Sequence, residues 1–468
     1  MKKYILLFLM FIFSLSVKSF SQGHKIDITV SGTADSTIYF AYYYGDKKFV
    51  YDTLKADKNG TIFVQGDDKL PGGVYLVVLP DYRYFEMLLS DDQEFSVKTK
   101  IGDLLPSLSF TGSEENSAFL EYQRLSIKIN ENNKALKAQQ KANLTNLDSL
   151  FIIQDQLDEN TKIIENYLNN LTTKYKGKFL GDLLNAMAPP DDPEIVLPEG
   201  TQNPDSVRIM INYGHLRDHY FDRVNFSNSN LIRTPILKNK LNQYFNRLLV
   251  QSPDSIMPQI DRVVKKAKVN SDMYQFVVVY ALNNYLDNKI MGLDEVFVHI
   301  AEEYYIKDEA PWADSTFMVR LTDRVMKIKP NLIGRKAQDL KMETISGEWI
   351  SLHQVDRKFI VIYFWEPNCG FCKEATPKLY EIYQKYRDKG MEVVAVYTQQ
   401  DKEEWDKYIN ETGYDWINAW DPNQQTYFRF YYDVHSTPTL YLLDRDKTII
   451  AKRIDMDSLD QMMGNLLN

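Results

Sequence analysis

The stretch KFIVIYFWEPNCGFCKEATP, residues 358–377, decides the fold of the C-terminal third of this 468-residue chain. Its first eight residues form a nearly continuous apolar run, as expected for a buried strand of a parallel sheet. Two cysteines follow at once, and then a helical pattern begins. The apolar residues of that pattern recur on one face: Leu379, Ile382, Tyr383 and Tyr386. A buried strand that leads through a cysteine pair into a helix predicts an α/β domain.

The sequence on both sides of this stretch supports the same fold. Residues 332–352 predict a β-hairpin that turns at Ser346 and Gly347, and residues 391–398 predict a second buried strand. Residues 401–413 have a helical pattern, and residues 437–454 predict a hairpin. Strand, helix, strand, helix and hairpin is an α/β order.

The two cysteines, Cys369 and Cys372, are the only ones in the chain. A disulfide between them closes a very small loop and therefore adds little loop-entropy stabilisation. Chemistry is the better reason for the pair. A helix N-terminus favours the thiolate of Cys369, which makes it a nucleophile, and Cys372 lies one turn further on, where it can resolve a mixed disulfide. Zinc is the alternative, but a structural zinc site needs about four Cys or His ligands.

With these features, residues 331–468 resemble the thioredoxin domain of the TlpA/ResA-like thiol–disulfide oxidoreductases. The resemblance rests on Trp365, the CGFC pair, Pro377 and the tetrad at 436–439. It implies that Pro438 is cis and faces the cysteines, and that Trp365, Thr437 and Pro438 bind the incoming polypeptide. The distance from Cys372 to Pro438 (438 − 372 = 66 positions) suits this type, which inserts an extra strand and helix.

Two positions depart from the family pattern. Tyr363 stands where thioredoxin has a buried acid, and Ala375 stands where TlpA/ResA-like proteins often have glutamate. Glu374 is interpreted as a solvated first-turn carboxylate and is kept as a proton-relay candidate. His435, beside the proline motif, is interpreted as an ordinary loop histidine. These departures leave the route of proton transfer open.

The N-terminus has the pattern of a secretory signal peptide, residues 1–21. Lys2 and Lys3 precede an apolar run at 4–17, and Ser19 and Ser21 occupy the small-residue positions of a cleavage site. The run is shorter than the roughly 20 residues of a spanning helix. We therefore expect an exported, periplasmic protein that is soluble after cleavage, with an uncleaved membrane anchor as the alternative.

The remaining sequence predicts two further domains. Residues 22–113 contain about seven short β-rich runs separated by turn residues, which indicates an antiparallel β-sandwich. Residues 114–330 have helical periodicity, interrupted by a Pro/Asp/Gly-rich loop at 188–205. The thioredoxin-like domain occupies 331–468. The histidines are too scattered for a metal site, and we expect none.

The expected function follows from the resemblance and the cysteine pair. The net charge of −9 argues against nucleic-acid binding. The resemblance implies an enzyme that reduces disulfides in client proteins and is itself rereduced by a membrane thiol-electron carrier. It needs no cofactor beyond the redox-active disulfide Cys369–Cys372. An oxidant or isomerase of the same fold remains an alternative, as does a binding module that uses the thioredoxin domain as a scaffold.

Overall fold

The computed structural model describes residues 23–142, 146–307 and 310–467. The predicted signal peptide, residues 1–21, lies outside these described residues. The chain divides into two compact units, one reaching to Gln243 and one beginning at Tyr244. Within the described ranges, no helix combines the length and apolar character that crossing a membrane requires.

Two four-stranded sheets open the first unit. Their strands are β1 (His24–Ser31), β2 (Thr37–Tyr44), β3 (Lys47–Lys55), β4 (Thr61–Gly66), β5 (Gly73–Val78), β6 (Tyr84–Leu89), β7 (Glu94–Lys100) and β8 (Ser109–Thr111). The sheet orders are β4-β1-β7-β8 and β3-β2-β5-β6. Alternate side chains of both sheets, such as Ile26, Ile28 and Phe40, share one core, because successive strand residues point to opposite faces. The predicted antiparallel fold is confirmed, although β1 and β7 pair in parallel.

Helices complete the first unit. They are α1 (Leu104–Ser107), α2 (Glu114–Ala142), α3 (Leu147–Lys174), α4 (Phe179–Met187), α5 (Pro204–His219) and α6 (Pro235–Gln243). Helices α2 and α3 run side by side in opposite directions. Buried Asn160 of α3 joins them, because its amide donates to Asn133 at 2.7 Å. The predicted loop at 188–205 is confirmed as far as α5, which begins at Pro204.

The second unit begins with further helices. They are a π-helical turn (Tyr244–Leu248), α7 (Pro253–Ala267), α8 (Ser271–Leu286), α9 (Asp294–Ala301), a π-helical turn (Glu302–Ile306) and α10 (Ser315–Ile328). Side-chain caps mark two of the starts: Asn270 accepts from the N–H of Met273, and Asp314 accepts from the N–H of Phe317. The prediction of a helical central region is confirmed.

A seven-stranded mixed sheet follows. Its strands are β9 (Lys341–Thr344), β10 (Trp349–Ser351), β11 (Phe359–Trp365), β12 (Met391–Tyr397), β13 (Ile417–Trp420), β14 (Thr439–Asp444) and β15 (Ile449–Lys452). The sheet order is β10-β9-β13-β12-β11-β14-β15, with β11, β12 and β13 parallel. Its helices are α11 (Gly370–Tyr386), α12 (Lys402–Thr412), α13 (Phe428–Tyr431) and α14 (Met456–Leu467). This is the predicted thioredoxin-like α/β fold.

Strand β11 is buried on both faces, as its apolar sequence predicts. Val361, Tyr363 and Trp365 belong to one core cluster, whereas Ile360 and Phe364 belong to the cluster on the opposite face. Strand β14 runs antiparallel to β11 and places Thr439 opposite Phe364. The loop that follows β11 and the loop that precedes β14 therefore meet at the same end of the sheet, where β11 ends and β14 begins.

Candidate active site

Cys369 is the N-cap residue of α11. Its sulfur accepts a hydrogen bond from the backbone N–H of Cys372 at 3.2 Å. The helix starts here because the sulfur satisfies an N–H that lacks a partner within the helix. The first turn of α11 thus directs N–H groups and the positive end of the helix dipole at Cys369.

The two cysteines occupy different environments, and both are free thiols in this structure. Cys369 is half-buried, whereas Cys372 is 1% exposed. Burial alone raises the pKa of Cys369, but hydrogen bonding with Cys372 and Thr437 and the backbone N–H of Phe371 outweigh burial and hold this pKa below its ordinary value. Burial, followed by the interaction with Cys369, raises the pKa of Cys372 to about 12. Cys369, the accessible cysteine, therefore loses its proton more readily, whereas Cys372, the buried cysteine, keeps its proton.

The loop before β14 faces these sulfurs. The thiol of Cys369 donates to the backbone carbonyl of Thr437 at 3.3 Å. The peptide bond between Thr437 and Pro438 is cis, as the resemblance implies. The structure thus brings together Cys369, Cys372, Thr437 and Pro438 from the predicted set of site residues.

Trp365, also predicted to bind the polypeptide, lies in the core. Its side chain is 1% exposed and packs against Tyr408, with ring centroids 4.9 Å apart, and against Tyr397. Its backbone carbonyl accepts from the N–H of Thr398 at 3.0 Å. In this structure the Trp365 side chain packs in the core beneath the loop that carries Cys369. Its contact with a client stays a prediction.

Glu366 is a site residue that the sequence interpretation missed. Its carboxylate accepts from the hydroxyl of Thr437 at 2.8 Å and from the side-chain amide of Gln399. It therefore joins the loops that follow β11 and β12 to the loop that precedes β14. Its position directly after the buried strand, three residues before Cys369, is the sequence signal that could have indicated it.

A buried pair of hydroxyl groups lies beneath Cys372. The hydroxyl of Thr376 donates to the carbonyl of Cys372 at 2.7 Å, and the hydroxyls of Tyr363 and Thr376 are 2.9 Å apart. Burial raises the pKa of Tyr363 above its ordinary value, so this phenol stays neutral. Further along α11, Glu374 is exposed and Ala375 is half-buried. Glu374 thus has the solvated position expected for it, and its part in proton transfer stays a prediction.

This arrangement suits thiol–disulfide exchange. An accessible sulfur that favours the thiolate lies beside a buried thiol. The buried thiol can attack the mixed disulfide that forms on the accessible sulfur and release the bound client. In the described ranges, no group of three or more His, Cys, Asp or Glu side chains is placed to hold a metal ion.

Three parts of the chain match known families. Residues 333–452 match the AhpC/TSA family, residues 205–331 match a domain of unknown function, DUF5106, and residues 24–119 match a second one, DUF4369. Among curated proteins, the thiol–disulfide oxidoreductase ResA of Bacillus thuringiensis is 27% identical over 134 residues, which cover 29% of this chain and 76% of ResA. The thioredoxin-like protein YneN of Bacillus subtilis is 29% identical over 121 residues, which cover 25% of this chain and 68% of YneN.

Solved structures with partial similarity include a thioredoxin-like protein from Bacteroides caccae. It is 24% identical, with a TM-score of 0.46, and the match covers 59% of this chain and 98% of that one. A domain of a possible thiol–disulfide isomerase from Cytophaga hutchinsonii is 39% identical, with a TM-score of 0.28, over 29% of this chain and 92% of that domain.

The family and sequence matches identify the C-terminal domain as thioredoxin-like and homologous to ResA. It follows the DUF4369 and DUF5106 domains in the chain. The predicted enzyme class, thiol–disulfide oxidoreductase, is confirmed by these relatives.

Proposed function

We propose that this protein is an exported reductase of protein disulfides, with Cys369 as the attacking sulfur and Cys372 as the resolving sulfur. The observation that carries the proposal is the contrast between the two sulfurs. Cys369 is accessible and its pKa is lowered, whereas Cys372 is buried and its pKa is raised to about 12. Only the first is suited to meet a client as a thiolate near neutral pH.

The reaction has two exchange steps. The thiolate of Cys369 attacks one sulfur of a client disulfide, a mixed disulfide forms, and the other client sulfur leaves as a thiolate. Cys372 then loses its proton and attacks the sulfur of Cys369, which releases the second client thiolate and forms the Cys369–Cys372 disulfide. Two electrons pass from the dithiol to the client, and the released thiolates take up protons.

The loop before β14 receives the client in this proposal. The carbonyl of Thr437 is 3.3 Å from the sulfur of Cys369, so an extended client segment beside Thr437 and Pro438 would place its disulfide against that sulfur. Glu366 holds the Thr437 side chain in place. We assign Glu374 at most a part in the uptake and release of protons at the helix surface.

The cellular setting and the domain limits belong to the same proposal. The N-terminal sequence pattern supports export to the periplasm and cleavage after residue 21. The resemblance to ResA-like proteins supports a membrane thiol-electron carrier as the source of the two electrons. Domain limits of 22–113, 114–330 and 331–468 are supported by the family matches at 24–119, 205–331 and 333–452.

The test is to trap the mixed disulfide. Cys372→Ser should accumulate disulfide-linked client complexes, because the resolving step is lost, whereas Cys369→Ser should accumulate few. Alkylation of the reduced wild type should occur first at Cys369, at a pH below the usual thiol pKa of about 8.5. Preferential alkylation at Cys372, or trapping by Cys369→Ser instead, would reverse the assignment.

A further inference from the structure

A buried carboxylate lies at the start of the loop that carries Thr437. The side chain of Asp433 is 1% exposed and three cationic or ionisable groups surround it. Arg453 donates to its Oδ2 at 2.5 Å, and Nε2 of His435 is 2.5 Å from its Oδ1. The third group, Arg324, comes from α10 in the helical region and not from the thioredoxin-like domain.

Arg324 binds this carboxylate across 109 positions of sequence. Its Nη1 is 2.8 Å from Oδ1 and 2.9 Å from Oδ2 of Asp433. A buried charge requires compensation, and removal of one partner of a buried ion pair leaves the other poorly compensated. Arg324 is the partner that the helical region supplies, so part of the compensation of this carboxylate depends on α10 staying against the loop.

Asp433 is close in sequence to the residues that contact Cys369. Asp433 lies four positions before Thr437, whose carbonyl accepts from Cys369. The intervening segment is short, and Asp433, His435, Ser436 and Pro438 line a cavity of about 410 Å³ together with residues 439–440 and 453–456. A displacement of Asp433 would shift this short segment and with it Thr437, beside which the client is proposed to bind.

A second attachment of the helical region lies beside the first, at the residue that precedes Arg453. Lys452 of β15 is 5% exposed and donates to the carboxylate of Asp294, at the start of α9. It also donates to the backbone carbonyl of Asn331 at 2.8 Å. This contact holds α9 against β15, the edge strand next to β14, through hydrogen bonds that do not include residues 433–438.

We propose that Arg324 is a positioning residue for the redox site, and that the last helix of the DUF5106 domain thereby helps to shape the client-binding loop. The inference rests on the proposed function. It assigns a role to a domain of unknown function: through Arg324 and Asp433, α10 sets the position of residues 433–438 relative to Cys369. The ligand of this surface is an extended polypeptide that carries a disulfide.

The test uses the full chain and a peptide disulfide as substrate. Arg324→Met should raise KM roughly tenfold, which corresponds to about 1.4 kcal/mol of binding free energy, and leave kcat nearly unchanged. Alkylation of Cys369 by iodoacetamide, a small reagent that does not need the client-binding loop, should keep its rate. Arg324→Lys should restore part of the lost affinity. Arg320→Met is the matched control, because Arg320 lies one turn earlier on α10 and is exposed.

Asp294→Asn separates positioning from stability. It weakens the attachment at Lys452, so it should lower stability while KM stays near the wild-type value. The inference is overturned if Arg324→Met keeps the wild-type KM, or if KM rises in both variants in proportion to their loss of stability. An inactive wild-type protein would instead contradict the proposed function, which distinguishes the two failures.

Discussion

Removal of the Tyr363 hydroxyl should weaken the second unit without changing the reactivity of Cys369. Thr376 uses its proton in the bond to the carbonyl of Cys372, so the proton shared at 2.9 Å comes from Tyr363. Both hydroxyls are buried. The pair therefore contributes to the packing beneath Cys372 as a neutral hydrogen-bonded unit, in the place where thioredoxin has a buried acid.

The loss in the free energy of unfolding depends on whether a substitution leaves a buried hydroxyl without its hydrogen-bond partner. Tyr363→Phe removes one neutral hydrogen bond, so the free energy of unfolding should fall by about 1 kcal/mol. Thr376→Val leaves the Tyr363 hydroxyl buried without that partner, so the loss should be about 1–3 kcal/mol. The double variant removes both polar groups, and its loss should be smaller than the sum of the two by roughly 1 kcal/mol.

Urea unfolding measures the stabilities, and the pH dependence of iodoacetamide alkylation measures the reactivity. Since burial raises the pKa of Tyr363, the phenol does not titrate with Cys369 and Tyr363→Phe should leave the alkylation profile in place. Tyr427→Phe, at a tyrosine that is 69% exposed, is the control and should change neither quantity. A double variant whose loss equals or exceeds the sum, or a shifted profile in Tyr363→Phe, would refute the reasoning.

Four further substitutions, at three positions, test the surroundings of the cysteines. Ala375→Glu should raise the pKa of Cys369 and make its single-turnover alkylation curve biphasic, because position 375 lies nearly one turn after Cys372. Glu374→Gln should have a small effect on this curve. An unchanged curve for Ala375→Glu would mean that the side chain at position 375 does not face the sulfurs. Glu366→Ala should raise KM for a peptide disulfide several-fold, on the order expected when a charged hydrogen bond is lost, because Thr437 loses its acceptor. Glu366→Gln keeps an acceptor oxygen and should change KM less; equal KM values in both variants and the wild type would contradict the role of this bond.

The sequence predicts those parts of the site that depend on local order. A buried strand followed by a helix places Cys369 at a helix N-terminus independently of the rest of the chain. The three-residue spacing places Cys372 in the first turn of the same helix. The meeting of Thr437 with Cys369 is not local. It was predicted through the family resemblance, and the antiparallel pairing of β14 with β11 is its physical basis.

The missed parts depend on partners that lie far away in sequence. Glu366 is within the quoted stretch, but its partners Thr437 and Gln399 lie 71 and 33 positions from it. Arg324 and Asp433 are 109 positions apart and have no shared motif or periodicity. Single charged residues of this kind look like solvated surface residues until the tertiary structure brings them together.

Short elements were missed for a different reason. β13 has four residues and α13 has four, so neither offers enough turns or alternations for a periodic pattern. The resemblance implies an inserted strand and helix between Cys372 and Pro438 without giving their bounds, and both β13 and α13 lie in that interval.

The reduction potential of the Cys369–Cys372 couple tests the central claim most directly. Equilibration of the full chain with glutathione, followed by mass spectrometry of the two cysteines, gives its value. A reductase should lie near the thioredoxin value of about −270 mV and well below the roughly −180 mV of protein disulfide isomerase. A value near the roughly −120 mV of DsbA, or the absence of a disulfide between Cys369 and Cys372 under oxidising conditions, would contradict the account.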